Sequence, residues 1–289
     1  MVKSKELGRI KGILKTRILR SRIGSRTRWH FFNNFWIRLS FILIVVSVLV
    51  RSFLWQPFAI PSQSMLPTIF AGDYVFASKY AYGYNRYSLP FAPKWFSSSM
   101  KESAIKRGDV IVFRGRDNRH YVKRIIGMPR DRIQMVAGAL HIDGIAVKKE
   151  RVTDLIMPQT TNSPCLNSQE TRKVIGSFYV VCRYPRYKET LAGDISYMTL
   201  DLTPSAEYDT SKLVLVPPRY YYVMGDNRDF SLDSRVNSTA GTPHLVEMDR
   251  IVGRAEIVLL SYDGSVDLRK IWHWHDGLRS GRVLRYLED

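Results

Sequence analysis

Cysteine is scarce in this chain, and the usual metal-binding patterns are missing. Only two cysteines occur among the 289 residues, Cys165 and Cys182. Two thiols are too few for a zinc site, and the six histidines show no H-E-x-x-H spacing. We therefore expect no metal and no cofactor. An oxidising compartment permits a disulfide between the two cysteines, and we favour a structural bridge over two free thiols.

Several catalytic and binding motifs are also absent. The sequence holds no G-x-S-x-G turn and no glycine-rich phosphate loop. The segment that starts at Asp229 resembles the beginning of a calcium loop. Its sixth position, however, is Ser234 where glycine is needed, and its twelfth is Ala240 where glutamate is needed. These gaps argue against a phosphate-loop nucleotide-binding protein, an α/β-hydrolase and a calcium-binding protein.

Acidic residues are nearly missing from the start of the chain. Residues 1–38 hold eleven lysines and arginines and one acid, Glu6, so they carry more than half of the net charge of +18. The most apolar stretch, 35–55, follows directly. A basic flank before an apolar stretch is typical of the cytoplasmic side of a membrane anchor and does not require a nucleic-acid partner. A solvated basic tail and an organellar transit peptide are the alternatives.

The apolar stretch 35–55 is predicted to be a single uncleaved transmembrane anchor. Its uninterrupted centre is short for a span, but Arg38 and Arg51 can extend toward the headgroups, and Trp36 and Trp55 stand where interfacial aromatics belong. No small-x-small cleavage pattern follows. We expect a basic cytoplasmic arm at 1–34 and the remainder of the chain on the outer face of the membrane.

Beyond the anchor the sequence predicts a mainly antiparallel all-β fold. Short runs rich in β-branched and aromatic residues are separated by Gly, Pro and Asp, without helices between them. The predicted strands are 109–113, 121–126, 177–182, 213–216, 220–224 and 251–260. The texture differs over 134–217, which we predict to be an inserted β-rich subdomain. The catalytic core is then discontinuous, 56–133 and 218–289, and the tail after residue 268 is expected to form a short helix.

Three polar clusters have residue types suited to catalysis. In the first, I-P-S-Q-S-M-L-P-T at 60–68, an extended chain would present Ser62 and Ser64 on one side, so that one hydroxyl attacks and the other donates to an oxyanion. In the second, H-Y-V-K-R-I-I-G at 120–127, Lys123 shares a strand face with apolar neighbours, and its desolvation would lower its pKa. The third is G-D-N-R-D-F-S-L-D-S-R at 225–235, which suggests a hydrogen-bonded network. Each cluster alone also fits a linker, an edge strand or a turn.

Together with R-G-D-V-I-V-F at 107–113, these clusters resemble bacterial type I signal peptidases, and the match covers the anchor and most of 56–135 and 217–260. The resemblance implies an all-β serine endopeptidase with Ser64 as nucleophile and Lys123 as general base. Ser62, with the backbone amide of Ser64, is similar to the oxyanion donor, and Ser231 to the residue that orients the lysine. The resemblance implies a supporting network of Asp226, Asp233 and Arg235. It also implies shallow pockets for small side chains, lined by Phe58, Ile60, Pro61, Met65, Ile69, Val112, Tyr121 and Val122.

The resemblance also implies partners and a location. The substrates would be preproteins cut after Ala-x-Ala-like sites, and the location the bacterial cytoplasmic membrane, with lipids as further partners and a monomeric enzyme. Two alternatives are an inactive membrane-anchored adaptor for exported polypeptides and a specialised organellar or pilin-processing relative. The chain departs from the family at Arg130, where glycine is common, and shows one anchor where two are frequent.

Overall fold

The computed structural model describes residues 35–89, 95–96, 98–166, 169–174, 177–203, 208–236, 244–265, 272 and 275–287. The predicted basic arm 1–34 lies outside these residues. Two compact units divide the chain, Met1–Val50 and Arg51–Asp289.

One helix in the described part, α1 (Phe35–Leu54), is long and apolar enough to cross a membrane. Its last turn, Val50–Leu54, is wound as a π-helix. Large apolar side chains such as Phe41 and Ile44 are exposed along it, which fits the predicted membrane anchor. The helix ends one residue earlier than predicted, because Trp55 already pairs with Ser78 in the first sheet.

The remaining elements are β-strands joined by turns, as the sequence predicts. In chain order they are β1 (Trp55–Ala59), β2 (Asp73–Ser78), β3 (Val110–Arg114), β4 (His120–Gly127), β5 (Arg132–Val136), β6 (Ala139–Ile142), β7 (Ile145–Ala146), β8 (Lys148–Pro158), β9 (Gln169–Val174), β10 (Ser177–Leu191), β11 (Ile195–Leu200), β12 (Val214–Leu215), β13 (Tyr220–Met224), β14 (Val246–Glu247), β15 (Ile251–Ser261) and β16 (Arg285–Tyr286). Single 3-10 turns lie at Tyr80–Tyr82, Glu102–Ala104, Met248–Arg250 and Ser280–Arg282.

The strands form three sheets with antiparallel ladders. The largest has the order β1-β2-β15-β3-β4-β13-β14, with β16 beside β15; the second has β11-β10-β8, with β9 beside β10; the third has β12-β5-β6-β7. Strands β5 to β12 (132–215) therefore pair among themselves, and their span nearly coincides with the predicted insertion 134–217. Its treatment as a separate subdomain stays a prediction, because residues 51–289 pack as one unit.

The largest sheet is buried on both faces around β3. Val110 and Val112 join one apolar cluster, while Ile111 and Phe113 join another. A strand covered on both sides needs apolar residues at every position, which is why V-I-V-F lacks polar alternation. This double burial fixes β3 and its neighbour β4, which carries Lys123.

Two predicted elements differ from the structure by more than a shift of one or two residues at an end. Strand β10 runs on to Leu191, beyond the predicted end at Cys182, because a bulge between Tyr184 and Arg186 accommodates the proline at 185. In the described residues of the tail, the expected helix is replaced by turns and by β16, which pairs with Ile257 and Val258. Pairing with a sheet edge therefore overrides the local preference there.

The disulfide Cys165–Cys182 gives the first testable prediction. The bridge closes a loop of 17 residues beside the second sheet. Loop-closure entropy for such a length predicts that Cys165→Ala lowers the free energy of unfolding by about 3 kcal/mol. Denaturant unfolding of the purified chain measures this, and dithiothreitol should destabilise the wild type but not the variant. Equal stability of variant and oxidised wild type would contradict the prediction.

Candidate active site

Ser64 lies in the turn that follows β1. Its carbonyl oxygen accepts a hydrogen bond from the backbone amide of Asn227 (3.1 Å), and Asn227 Nδ2 donates to the carbonyl of Gln63 (3.1 Å). The segment is turned rather than extended, yet Ser62 Oγ and Ser64 Oγ lie 3.3 Å apart. The two hydroxyls therefore meet as the sequence predicts, although through a different backbone conformation.

Lys123 lies in the middle of β4, opposite Ile111 of β3. Its side chain is only 3% exposed, and Nζ donates a hydrogen bond of 2.7 Å to Ser64 Oγ. Residues Tyr121 and Ile125, two positions away on either side, pack in the cluster that also holds Ile111. Burial lowers the pKa of Lys123 from 10.5 to about 8, while the nearby Asp233 carboxylate opposes the shift.

Asp233 and Arg235 form a buried pair next to the lysine. Arg235 donates Nε to Asp233 Oδ1 and Nη2 to Oδ2, both at 2.9 Å. Asp233 Oδ2 also accepts the backbone amide of Gly225 (2.9 Å). Burial raises the pKa of the Asp233 carboxyl, but Arg235 and Lys123 more than offset this and hold it below its usual value. Asp233 is thus a charged acceptor with most of its bonding capacity occupied.

Asp226 pairs with Arg124 of β4, and not with the Arg235 that the predicted network places beside it. Arg124 forms a bidentate salt bridge with it, in which Nε donates to Oδ1 at 2.8 Å and Nη2 donates to Oδ2 at 2.7 Å. Thr68 Oγ1 also donates to Oδ2. Arg124 is 6% exposed and Asp226 is 1% exposed. Sequence analysis missed Arg124 and Thr68. The available signal was an arginine next to Lys123 in a buried strand, since such a charge needs a carboxylate partner.

Ser231 is buried against Gly225, and no hydrogen bond joins its hydroxyl to Lys123. Within the described part of the chain its Oγ has no hydrogen-bond partner. A Cβ on Gly225 would lie 2.2 Å from Ser231 Oγ and 2.5 Å from the carbonyl oxygen of Ser64. The loop 225–235 therefore folds back on itself and meets the turn that carries Ser64 at a point where only glycine fits. The orienting role of Ser231 stays a prediction.

Most of the predicted pocket residues lie together. One apolar cluster contains Phe58, Ile60, Met65, Ile69 and Val112, with Val122 packed against it. Tyr121 is in the cluster on the other face of the sheet, where its hydroxyl donates to Asp117, because consecutive strand residues face opposite sides. Pro61 is exposed. The ring of Phe58 lies 5.0 Å from that of His120, so the ends of β1 and β4 approach each other here.

One group of carboxylates resembles a metal site in the described part of the chain. Asp201, Asp209 and Asp229 bring ligand oxygens within 4.8 Å of one another. Lys149 forms a salt bridge with Asp201, and Asp229 Oδ2 accepts the backbone amides of Leu202 and Thr203. The lysine ammonium supplies positive charge to the cluster without a metal.

A buried lysine amine in contact with a serine hydroxyl, with a second hydroxyl beside it, brings together the types of group that a serine hydrolase needs. The family model of signal peptidases, peptidase S26, matches residues 34–260. Signal peptidase I of Rickettsia felis is 30% identical over 271 residues, 87% of this chain and 92% of that protein. Signal peptidase I of Rickettsia canadensis is 29% identical over the same shares.

The chain therefore belongs to the signal peptidase family and is a serine endopeptidase of the bacterial type I class. A solved signal peptidase I from Enterococcus faecalis is 20% identical and covers 52% of this chain and 95% of its own, with a TM-score of 0.26. The three polar clusters identified in the sequence all lie within residues 34–260, which the family model matches.

Gly225 offers a test of the site geometry. Gly225→Ala should lower the rate of preprotein cleavage by about a hundredfold, because a shift of about 1 Å in reacting groups has that effect. Gly281→Ala is the matched control, since a Cβ there meets nothing within 4 Å. Cleavage rates of the two purified variants measure the difference. Full activity of Gly225→Ala would contradict the close approach of the loop 225–235 to the turn that carries Ser64.

Proposed function

We propose that this chain is a membrane-anchored endopeptidase that removes signal peptides with Ser64 as nucleophile and Lys123 as general base. The observation that carries the proposal is the 2.7 Å contact between Lys123 Nζ and Ser64 Oγ, made by a lysine that is 3% exposed. A lysine held dry against a hydroxyl is pre-organised to take its proton.

The reaction follows from these positions. Neutral Lys123 Nζ accepts the proton of Ser64 Oγ as the oxygen attacks the scissile carbonyl carbon. The electron pair of the carbonyl bond moves to its oxygen, which receives hydrogen bonds from Ser62 Oγ and the Ser64 amide. Collapse expels the new amine of the mature protein, which takes the proton from the Lys123 ammonium. The Lys123 amine, now neutral again, then takes a proton from a water molecule as that water attacks the ester on Ser64. Ser64 Oγ leaves and regains a proton, and the signal peptide is released with a free carboxylate.

The lowered pKa of Lys123 decides whether this base works near neutral pH. With a pKa of about 8, roughly one lysine in ten is neutral at pH 7, whereas an ordinary lysine is neutral only about three times in ten thousand. Burial thus raises the reactive fraction by roughly 300-fold, which corresponds to about 3 kcal/mol. Without that burial the pair would contain almost no free base.

Four further residues are proposed to support the pair. Two of them act through their charges on the pKa of Lys123, which Asp233 raises and Arg235 lowers. Asp226 is proposed to hold the loop 225–235 to β4 through Arg124. Ser231 is proposed to orient the lysine, because its buried Oγ has no hydrogen-bond partner among the described residues and can accept a hydrogen bond from Lys123.

Small substrate side chains suit the apolar cluster beside Ser64. The side chains of this cluster already pack against one another and are at most 6% exposed at Ile60, Met65, Ile69 and Val112. A wall filled in this way leaves only shallow depressions, so alanine fits and larger side chains meet a steric penalty. This supports cleavage after Ala-x-Ala-like sequences in exported preproteins.

Anchoring is supported by the length of α1 and by the disulfide. A helix of 20 residues is about 30 Å long, the thickness of the hydrocarbon core of a bilayer. The excess of lysine and arginine before it favours a cytoplasmic N-terminus. A disulfide in the β-sheet part is consistent with an oxidising compartment on the outer face of the membrane.

Substitution of the two proposed reactive groups tests the function. Ser64→Ala and Lys123→Met should each lower preprotein cleavage by about a millionfold, to the assay background, because such a pair acts as a unit. A serine-directed acylating inhibitor should label the wild type but not Ser64→Ala. Lys148→Met, at an exposed lysine, is the control and should retain wild-type cleavage.

Full cleavage by either Ser64→Ala or Lys123→Met would contradict the Ser64/Lys123 assignment. A wild-type chain that binds preproteins but neither cuts them nor reacts with the inhibitor would instead indicate an adaptor.

The pH dependence of cleavage tests the state of the lysine. The protonated amine cannot accept a proton, so the rate should be low below pH 7 and rise through a midpoint near the lowered Lys123 pKa of about 8. Single-turnover rates from pH 6 to about 10.5, with unfolding monitored in parallel, measure this midpoint. A midpoint near the ordinary lysine pKa would contradict a dry Lys123.

A further inference from the structure

A buried ionic contact joins the second sheet to the loop 225–235. Glu189 of β10 accepts hydrogen bonds at Oε2 from Arg228 Nη2 and from Tyr197 Oη, the latter at 2.9 Å. Arg228 Nη2 also lies 3.3 Å from Tyr197 Oη. The exposed fractions are 1% for Glu189, 3% for Arg228 and 7% for Tyr197. The three side chains therefore form a closed, buried triangle, the Glu189 triangle.

The members of the Glu189 triangle come from segments that are distant along the chain. Arg228 lies in the loop after β13, whereas Glu189 and Tyr197 face each other across the β10–β11 ladder. A buried guanidinium without a carboxylate is strongly destabilising, so the loop can hold Arg228 inside only while Glu189 is present. The second sheet thus supplies a charge that the loop 225–235 needs.

Further contacts join the same two parts. The backbone amide of Arg228 donates to the carbonyl of Leu200 (2.9 Å), and the amide of Leu200 donates to the carbonyl of Asp226 (2.8 Å). The guanidinium of Arg124 also lies over the ring of Tyr197, 4.4 Å from its centre. Strand β11 is therefore fastened to the loop at its backbone and at the Arg124–Asp226 pair.

From Arg228 the contacts lead directly to the Ser64/Lys123 pair. Arg228 Nε donates to the carbonyl of Gly225 (3.2 Å), the residue that packs against Ser64. The carbonyl of Arg228 accepts Nη2 of Arg235 (2.6 Å), and Arg235 holds Asp233. Both routes end at groups in contact with, or electrostatically coupled to, the reacting side chains.

We propose that Glu189 and Tyr197 are positioning residues for cleavage, which act through Arg228 to hold the loop 225–235 against Ser64 and Lys123. This inference rests on the proposed Ser64/Lys123 function. It gives the strands β10 and β11 a role in catalysis, although neither residue touches the reacting atoms. Loss of the triangle should therefore slow the chemical step and leave substrate binding nearly unchanged.

The test replaces one charge and keeps the shape. Glu189→Gln can still accept hydrogen bonds but leaves Arg228 without a countercharge. We expect kcat for a preprotein to fall by about tenfold or more, with KM within about twofold of wild type, in a chain that remains folded at the assay temperature. The rate of Ser64 acylation by a serine-directed inhibitor should fall by the same factor. Glu150→Gln, at an exposed glutamate on the neighbouring strand β8, should match the wild type.

Two further variants separate positioning from general stability. Tyr197→Phe removes only the hydroxyl and should lower kcat by about threefold. The double variant Glu189→Gln/Arg228→Gln removes both charges, and we expect its kcat to be no lower than that of Glu189→Gln, because the two losses are coupled. A purely structural contact would change the melting temperature without changing kcat per active site, counted by inhibitor titration.

The proposal is overturned if Glu189→Gln and Tyr197→Phe both keep the kcat of Glu150→Gln, or if only KM changes. It is also overturned if the decrease in kcat disappears when kcat is calculated per active site from the inhibitor titration. If Glu189→Gln does not fold, Tyr197→Phe and the double variant decide the matter. Full cleavage by Ser64→Ala in the same assay would instead remove the proposed function on which the inference rests.

Discussion

The contact between the Lys123 amine and the Ser64 hydroxyl depends on the exclusion of water. An amine exposed to solvent stays protonated near neutral pH, so the proposed base exists only because β4 is covered on both faces. The turn that carries Ser64 is fixed to the loop 225–235 through Asn227, and Gly225 allows these segments to approach closely. The need to keep one amine dry thus explains several otherwise unrelated features of the fold.

Exclusion of water brings an electrostatic problem, because carboxylates also lie close to the lysine. Asp233 and Asp226 both favour the protonated amine. Each is neutralised by an arginine in a bidentate pair, Asp233 by Arg235 and Asp226 by Arg124. A bare carboxylate at either position would hold the proton on Lys123 and leave no base. We propose that the arginines serve the chemistry through the charge that they cancel. In the Glu189 triangle a carboxylate neutralises Arg228 in the same way, one step further from Lys123.

Sequence patterns predicted the parts of this arrangement that are local. The strand 220–224 is observed with the same bounds, because a buried aromatic run between a proline turn and a glycine is unambiguous. Ser62, Ser64 and Lys123 were also found from residue type and neighbours. The meeting of Ser64 and Lys123 at hydrogen-bond distance joins residues 59 positions apart, which no window of sequence contains, and it was recognised only through the resemblance.

The residues that sequence reasoning missed share a physical reason. Their partners lie in distant segments of the chain, as for Arg124, Arg228 and Glu189, so no sequence spacing predicts these contacts. Strand β10 was predicted too short because Arg183 to Lys188 reads as a charged turn around a proline, whereas pairing with β8 holds it extended. Tertiary pairing decides such cases, since burial of a charge or a bulge is stable only when a partner is present.

The protonation state of Lys123 in the resting enzyme is the most direct test. A titration of its side-chain nitrogen by heteronuclear NMR, in detergent and with Lys123→Met used to assign the signal, measures the pKa without any substrate. We predict a pKa of about 8, as burial of the amine requires. A value near about 10.4, the ordinary one for lysine, would contradict the dry lysine on which the proposed mechanism depends.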